Sequence, residues 1–312
     1  MLQAGWVDDL SARLRSFRRV VVWGHPWGSH THSYVHAGFV HALRALGIET
    51  LWTDDRAALE RLGITQTLFI TEGQVVGDLP RDPTCRYVLH NVARDWYLDV
   101  AGQVLLLQTH TVDAGSDETH SSSGERLNSY TYAASDGDGV VCLYQPWATD
   151  LVPDEFDFTV PPHELGAYAA WIGTIGGGKF GNEEELAGFR AAAAGAGAEF
   201  VHRTGLSREA HRALVAGSAV APAIVGSWQL CKGYLPCRVF KNVSYGRVGI
   251  TNSPAVASIF EQEVPWRADT AELFALGIEL GDRRELIAAQ MREVQARHTF
   301  FNRLETILRY LP

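Results

Sequence analysis

The chain has little of what would mark it for a membrane, an oxidising compartment or nucleic acid. No apolar run approaches the roughly 20 residues that span a bilayer. Four cysteines, Cys85, Cys142, Cys231 and Cys237, form no CxxC pairing, and three sit in apolar surroundings. Buried thiols in a reducing compartment are therefore expected rather than disulfides. A basic excess is also lacking: the 312 residues carry a net charge of -9, which argues against nucleic acid or an anionic membrane as main partner. The first residues read as an amphipathic, charged segment rather than a signal peptide, and a cytoplasmic protein is expected. No internal repeat of fixed short period occurs. What is present, 46% apolar and 20% charged residues, suits a globular chain long enough for two domains.

Apolar periodicity then supplies an order of elements. Residues 7–17 read as a helix and Arg19–Trp23 as a buried strand. The loop from Gly24 leads into a helix that stops at Gly47, and Ile48–Trp52 is the next strand. Such β–loop–α–β units imply a parallel sheet with right-handed crossovers. A helix at Ala57–Leu62 and strands at Thr67–Thr71, Tyr87–His90 and Gln103–Gln108 continue the rhythm. Thr111–Asn128 is polar and reads as an exposed loop. Ser129–Ala134 and Val140–Tyr144 read as a strand pair around the turn Asp136-Gly137-Asp138-Gly139. Gln145–Gly166, with four prolines, reads as an interdomain linker.

A second βα series follows. It comprises a strand at Ala169–Thr174, a glycine-rich loop at Gly176–Gly181 and a helix Glu183–Ala194 capped by Asn182. Glu199–Arg203, Ala219–Val225 and Val248–Thr251 are further strands, Thr270 caps a helix, and one long helix closes the chain from Asp282 to Arg309. The expected fold is α/β: two doubly wound, Rossmann-like domains facing a cleft, with ligands at the carboxyl ends of the strands. The first domain is placed at 1–160 with a returning segment at 295–312, and the second at 161–294.

The chemistry is expected within Ser227–Ser253. Pro236 is placed in the first turn of a helix that Gly246 ends, so Arg238, Lys241 and Asn242 fall on its opening turns. Free N–H groups, a partial positive charge and two cations together suit a diphosphate. A surface helix with solvated cations is the plain alternative. Trp228, Gln229 and Tyr245 are placed to stack on or bond to a base or sugar, with ordinary core packing as the alternative. Gly176-Gly177-Gly178-Lys179 resembles a phosphate loop in letters only, because no Ser or Thr follows the lysine.

Histidines crowd the first strand-to-helix loop, where His25, His30, His32 and His36 stand among Trp27 and Ser29. His32, then His30, is assigned as general base. His90, Asn91 and Asp95 are reserves, and each can equally serve structure. His30-x-His32 is also a zinc pattern, but no Cys, Asp or Glu partner stands at metal spacing. Asp136-x-Asp138 reads as a hairpin turn rather than a metal site.

Five short segments carry a resemblance. They are Trp171-Ile172-Gly173-Thr174-Ile175, Ser218-Ala219-Val220-Ala221-Pro222, Pro236-x-Arg238-x-Phe240-Lys241-Asn242 with Gly246, Ile250-Thr251-Asn252, and Arg297-His298-Thr299 with Arg303. Over 168–312, and only in outline before that, the chain resembles two-domain GT-B type glycosyltransferases of the group-1-like family that includes the CgeB proteins. The resemblance implies a sugar donor in the second domain, an acceptor in the first, and a final helix that crosses back to the first. On the donor side it implies Gly173, Thr174, Trp228, Gln229, Arg238, Lys241, Asn242, Ser244, Tyr245, Gly246 and Asn252. On the acceptor side it implies His25, Trp27, Ser29, His90, Asn91 and Asp95. Many such enzymes carry two glutamates about eight positions apart in this region, and here those positions hold Gly233 and Lys241.

The expected activity is transfer of a sugar from a UDP- or GDP-sugar to an acceptor hydroxyl, in glycan, polysaccharide or secondary-metabolite glycosylation. A metal-independent and inverting route, with Arg238 and Lys241 steadying the leaving group, is expected, with no further cofactor, in a monomer or homodimer. A non-catalytic nucleotide-sugar or glycan-binding protein and a nucleotide-sugar epimerase on the same fold are the alternatives.

Overall fold

A computed structural model describes residues 4–24, 26, 32–72, 77–109, 124–135, 138–159 and 168–312. They fall into two compact units. The first draws on Met1–Thr109, Asp113–Val152 and Phe300–Pro312, and the second on Pro153–Thr299. The first contains β1 (Arg19–Trp23), β2 (Thr50–Thr53), β3 (Thr67–Glu72), β4 (Arg86–His90), β5 (Val104–Gln108), β6 (Gly124–Asn128), β7 (Thr131–Ser135) and β8 (Val141–Tyr144). Its helices are α1 (Ala4–Leu14), α2 (Ser33–Ala45), α3 (Arg56–Leu62) and α4 (Arg94–Tyr97). The second contains β9 (Ala169–Ile172) and β10 (Phe200–Arg203). Around them lie α5 (Glu183–Gly195), α6 (Arg208–Ala216), α7 (Ser227–Cys231), α8 (Cys237–Ser244), α9 (Pro254–Ala257), α10 (Thr270–Leu280) and α11 (Arg284–Arg297). The last helix, α12 (Phe300–Tyr310), belongs to the first unit.

The first unit is one eight-stranded sheet in the order β2-β1-β3-β4-β5-β8-β7-β6. Its first six strands are parallel, and β7 and β6 run antiparallel at one edge. Runs such as Val20-Val21-Val22 bury both faces, as a covered parallel sheet requires. One face packs Trp23, Phe69, Tyr87, Leu106 and Cys142 into a single core. On α2, Gly38 leaves the space that the Phe300 ring of α12 fills. Arg303 of α12, only 1% exposed, donates from Nε to Pro146 O (2.7 Å) and from Nη2 to Trp147 O (3.1 Å), beneath the Tyr130 ring. Burial pushes this guanidinium down to about 10, and the neighbouring Tyr130 opposes that shift.

Three expectations change here. The polar stretch before Asn128 ends in a strand, β6, which among the described residues is the edge of the sheet. The linker begins later than the prolines suggested, because Trp147, Ala148, Thr149 and Leu151 are core residues of the first unit. The closing helix is two helices. The break at His298 and Thr299 is also the boundary between units, and buried His298 stacks on Phe240 (4.6 Å between centroids) and lies 5.2 Å from Phe260.

In the second unit β10 and β9 pair in parallel, and single parallel bridges link Ala169 to Val220, Ala223 to Thr251 and Thr251 to Trp266. Main-chain bonds such as Ala223 N to Ile250 O (2.9 Å) extend the array. Numbered along the chain, the segments lie in the order 2-1-3-4-5, a doubly wound arrangement. Asn252 pins the third to the fourth, accepting from Val225 N and donating to Val225 O, both at 2.9 Å. Asp269, not Thr270, caps α10. The Thr270 hydroxyl instead donates to Glu185 O (2.6 Å), joining α10 to α5.

All four cysteines are free, with Cys231 exposed and the other three buried. Among the described residues no helix is long and apolar enough to cross a membrane.

Candidate functional site

In a 2-1-3-4-5 array the strand order reverses between the first and third segments, and the crevice beyond their carboxyl ends is where ligands bind. In the second unit that place is the end of β9. There the Arg238 Nε donates to Ile172 O at 3.1 Å, and the guanidinium carbon lies 3.7 Å from the centre of the Trp171 ring. Gly173 follows with φ +123, and a Cβ on it would stand 2.7 Å from Arg238 Nη2. A side chain at this φ would be strained and would crowd the guanidinium. Beside it, burial raises the Tyr234 phenol above its ordinary range while the Arg238 charge opposes the shift, so this neighbour adds no negative charge.

Pro236 is the N-cap of α8 rather than its first residue. Arg238 is the half-exposed member of a helix whose other residues are all buried. Lys241 is 5% exposed and does not share that exposed position. Asn242 donates to Ala221 O (2.8 Å), Ser244 to Lys241 O (2.9 Å), and the buried Tyr245 ring lies 5.5 Å from His211. Gly246, with φ +85, ends the helix. With Asn252 clasping Val225, all six of these expected donor residues are buried inside the unit. Of the other expected donor contacts, Gly173 and Thr174 lie on the loop after β9, and Trp228 and Gln229 on α7, where Gln229 Oε1 already accepts from Gly226 N (3.1 Å).

The other helix starts nearby are occupied. Gly176 O accepts from Asn182 N (2.8 Å) and Glu183 N (3.1 Å), and the first turn of α5 carries Glu183, Glu184 and Glu185. Asn182 does not cap α5 with its side chain; its Oδ1 accepts from Gly176 N at 3.3 Å. Ser227 N donates to Glu185 Oε1 at 2.7 Å. An anion meets carboxylates at both places.

In the first unit a histidine pair marks the carboxyl ends. His32 is the N-cap of α2, and its ring lies 5.4 Å from that of His90, the buried last residue of β4. The His90 ring lies 4.9 Å from Trp147, and the Trp147 ring lies 6.1 Å from Phe39. Sequence reasoning missed Trp147, because the prolines around it suggested a linker. Asn91, with φ +54, and Asp95, in the first turn of α4, are exposed. Asp138 receives Arg94 Nε at 2.9 Å, which ties the hairpin turn to α4. His25, Trp27, Ser29, His30 and Asp136 lie outside the described residues. Among the described residues no three of His, Cys, Asp and Glu converge on a metal-sized space.

No family model matches the chain, and no curated protein does. The solved structures do give a likeness. The chain aligns over 93% of its length with 98% of AviGT4, a glycosyltransferase involved in avilamycin A biosynthesis, at TM-score 0.52 and 12% identity. The fold is glycosyltransferase-like. The N-terminal domain of trehalose-6-phosphate phosphatase from Candida albicans also aligns, over 90% of this chain and 76% of that one, at TM-score 0.46 and 9% identity.

Proposed function

We propose that the protein transfers a sugar from a nucleoside-diphosphate sugar to an acceptor hydroxyl. The observation that carries this reading is the Arg238 guanidinium, held by Ile172 O and the Trp171 face at the end of β9. A stacked, hydrogen-bonded arginine is pre-organised for a diphosphate and needs little reorganisation as charge develops on the leaving group. In the step proposed, the acceptor oxygen bonds to the anomeric carbon while the bond from that carbon to the phosphate oxygen breaks. The acceptor proton passes to His32, and the nucleoside diphosphate departs against Arg238. His90, edge-on to His32, orients that imidazole.

The test is acceptor-dependent release of UDP or GDP from the corresponding sugar nucleotide. Release with acceptor supports transfer, sugar interconversion without acceptor identifies an epimerase, and binding without turnover identifies a binding protein. His32→Ala is expected to lower turnover at least tenfold and to leave donor affinity within about twofold. Full turnover in that variant moves the base elsewhere.

A further inference from the structure

The Gly-Gly-Gly-Lys loop between β9 and α5 is a pedestal rather than a phosphate cradle. Gly176 O occupies the place a Gly181 side chain would take, and Gly181 O occupies the place a Gly226 side chain would take. This loop and the start of α7 are thus in backbone contact that any Cβ would break. On that pedestal stands Phe180, 64% exposed, with its ring 5.0 Å from Trp228 at 79°. Glu183 borders the same loop, its Oε2 3.2 Å from where a Gly177 side chain would begin, and Lys179 Nζ lies 5.4 Å from the centre of the Phe180 ring. The loop starts at Gly173, against Arg238.

We propose that Phe180, Trp228 and Glu183 form a subsite for a pyranose ring, which under the transferase reading is the donor sugar. A pyranose has an apolar C–H face and a rim of hydroxyls. An exposed aromatic face packs the first, and a carboxylate accepts from the second. A sugar joined directly to a diphosphate held by Arg238 would fall on this same loop. A nucleobase is the competing occupant, and it predicts a different pattern of losses.

The experiment is titration calorimetry of the wild type, Phe180→Ala and Glu183→Gln with UDP, UDP-glucose, GDP, GDP-mannose and methyl glucoside and mannoside. Phe180→Ala is expected to leave UDP and GDP affinity within twofold. It is expected to weaken binding of the sugar nucleotide that the wild type prefers by about tenfold, the loss of one aromatic contact. Glu183→Gln is expected to weaken the same ligand several-fold. Because both side chains are exposed, melting temperatures should stay within about 2 °C. Equal weakening of a diphosphate and its sugar would place the base on Phe180 and overturn the proposal, as would no change in any ligand. If the wild type binds a methyl glycoside but no nucleotide, and Phe180→Ala removes that binding, the subsite stands and the transferase reading falls. Binding of no probe by the wild type overturns both.

Discussion

The two units solve the same problem with different materials. The first aligns six parallel strands with continuous pairing, and its carboxyl ends carry the paired imidazole rings of His32 and His90, the latter packed by Trp147. The second pairs only β9 and β10 at length and joins its other segments through single bridges and side-chain clasps. At its carboxyl ends stand a held cation and the exposed Phe180 ring against Trp228. A long ladder holds a sheet without help from side chains. A short one depends on residues such as Asn252 and Gln290, the latter joining Gly249 N (2.9 Å) to Glu263 O (2.6 Å). Under the proposed transferase reading, proton transfer falls to the first unit and anion binding to the second.

Arg303→Met probes the first unit and should have the largest effect. It leaves the Pro146 and Trp147 carbonyls unpaired in the core, at a cost of about 3–5 kcal/mol. Hydrogen exchange should rise first in the peptides covering 144–152 and 300–312, and unchanged protection there contradicts the role given to α12. Asn252→Ala is the counterpart in the second unit, removing both bonds to Val225 for about 2–3 kcal/mol. Its exchange should rise around Val225 and Thr251 and not in β1–β5. Uniform loosening of the whole chain would break the comparison.

Gly173→Ala sharpens the site. The φ of +123 strains an alanine, and its Cβ crowds the guanidinium, so diphosphate affinity should fall about tenfold. Retained affinity would mean that Arg238 moves without consequence. The smallest effect belongs to Tyr87, whose hydroxyl donates to Pro80 O (3.1 Å) and accepts from Asp82 N (2.8 Å). Burial raises this phenol in the folded state, so above about pH 10 the folded chain holds a proton that the unfolded chain has lost. Stability therefore falls as pH rises through that range. Tyr87→Phe should flatten that alkaline slope in urea titrations by at most one proton, and an unchanged slope assigns the loss to other groups.

Much of this was legible in the sequence, for physical reasons that differ by element. The strands of the first sheet announce themselves because β-branched runs between glycine and polar loops have few other packings. The αα break at His298 and Thr299 does not, since the apolar period runs through it unbroken and only the ring stacking against Phe240 reveals it. β6 stays hidden because an edge strand can be polar, as Gly124–Asn128 is. In the site, Arg238 stands out from its proline and its helix, whereas the burial of Lys241 and Asn242 depends on which face of α8 meets the strands. Phe180 has no sequence signature. Its setting rests on the Gly176–Gly181 and Gly181–Gly226 contacts, which become visible only once distant loops meet.

In the proposed function Arg238 holds the diphosphate of the ligand. Calorimetric titration of UDP and GDP into the wild type and into folded Arg238→Ala tests it most directly. A loss of about 10- to 100-fold is expected for the nucleotide that the wild type binds, the worth of one charge-assisted contact. Equal affinity in the two proteins would contradict it.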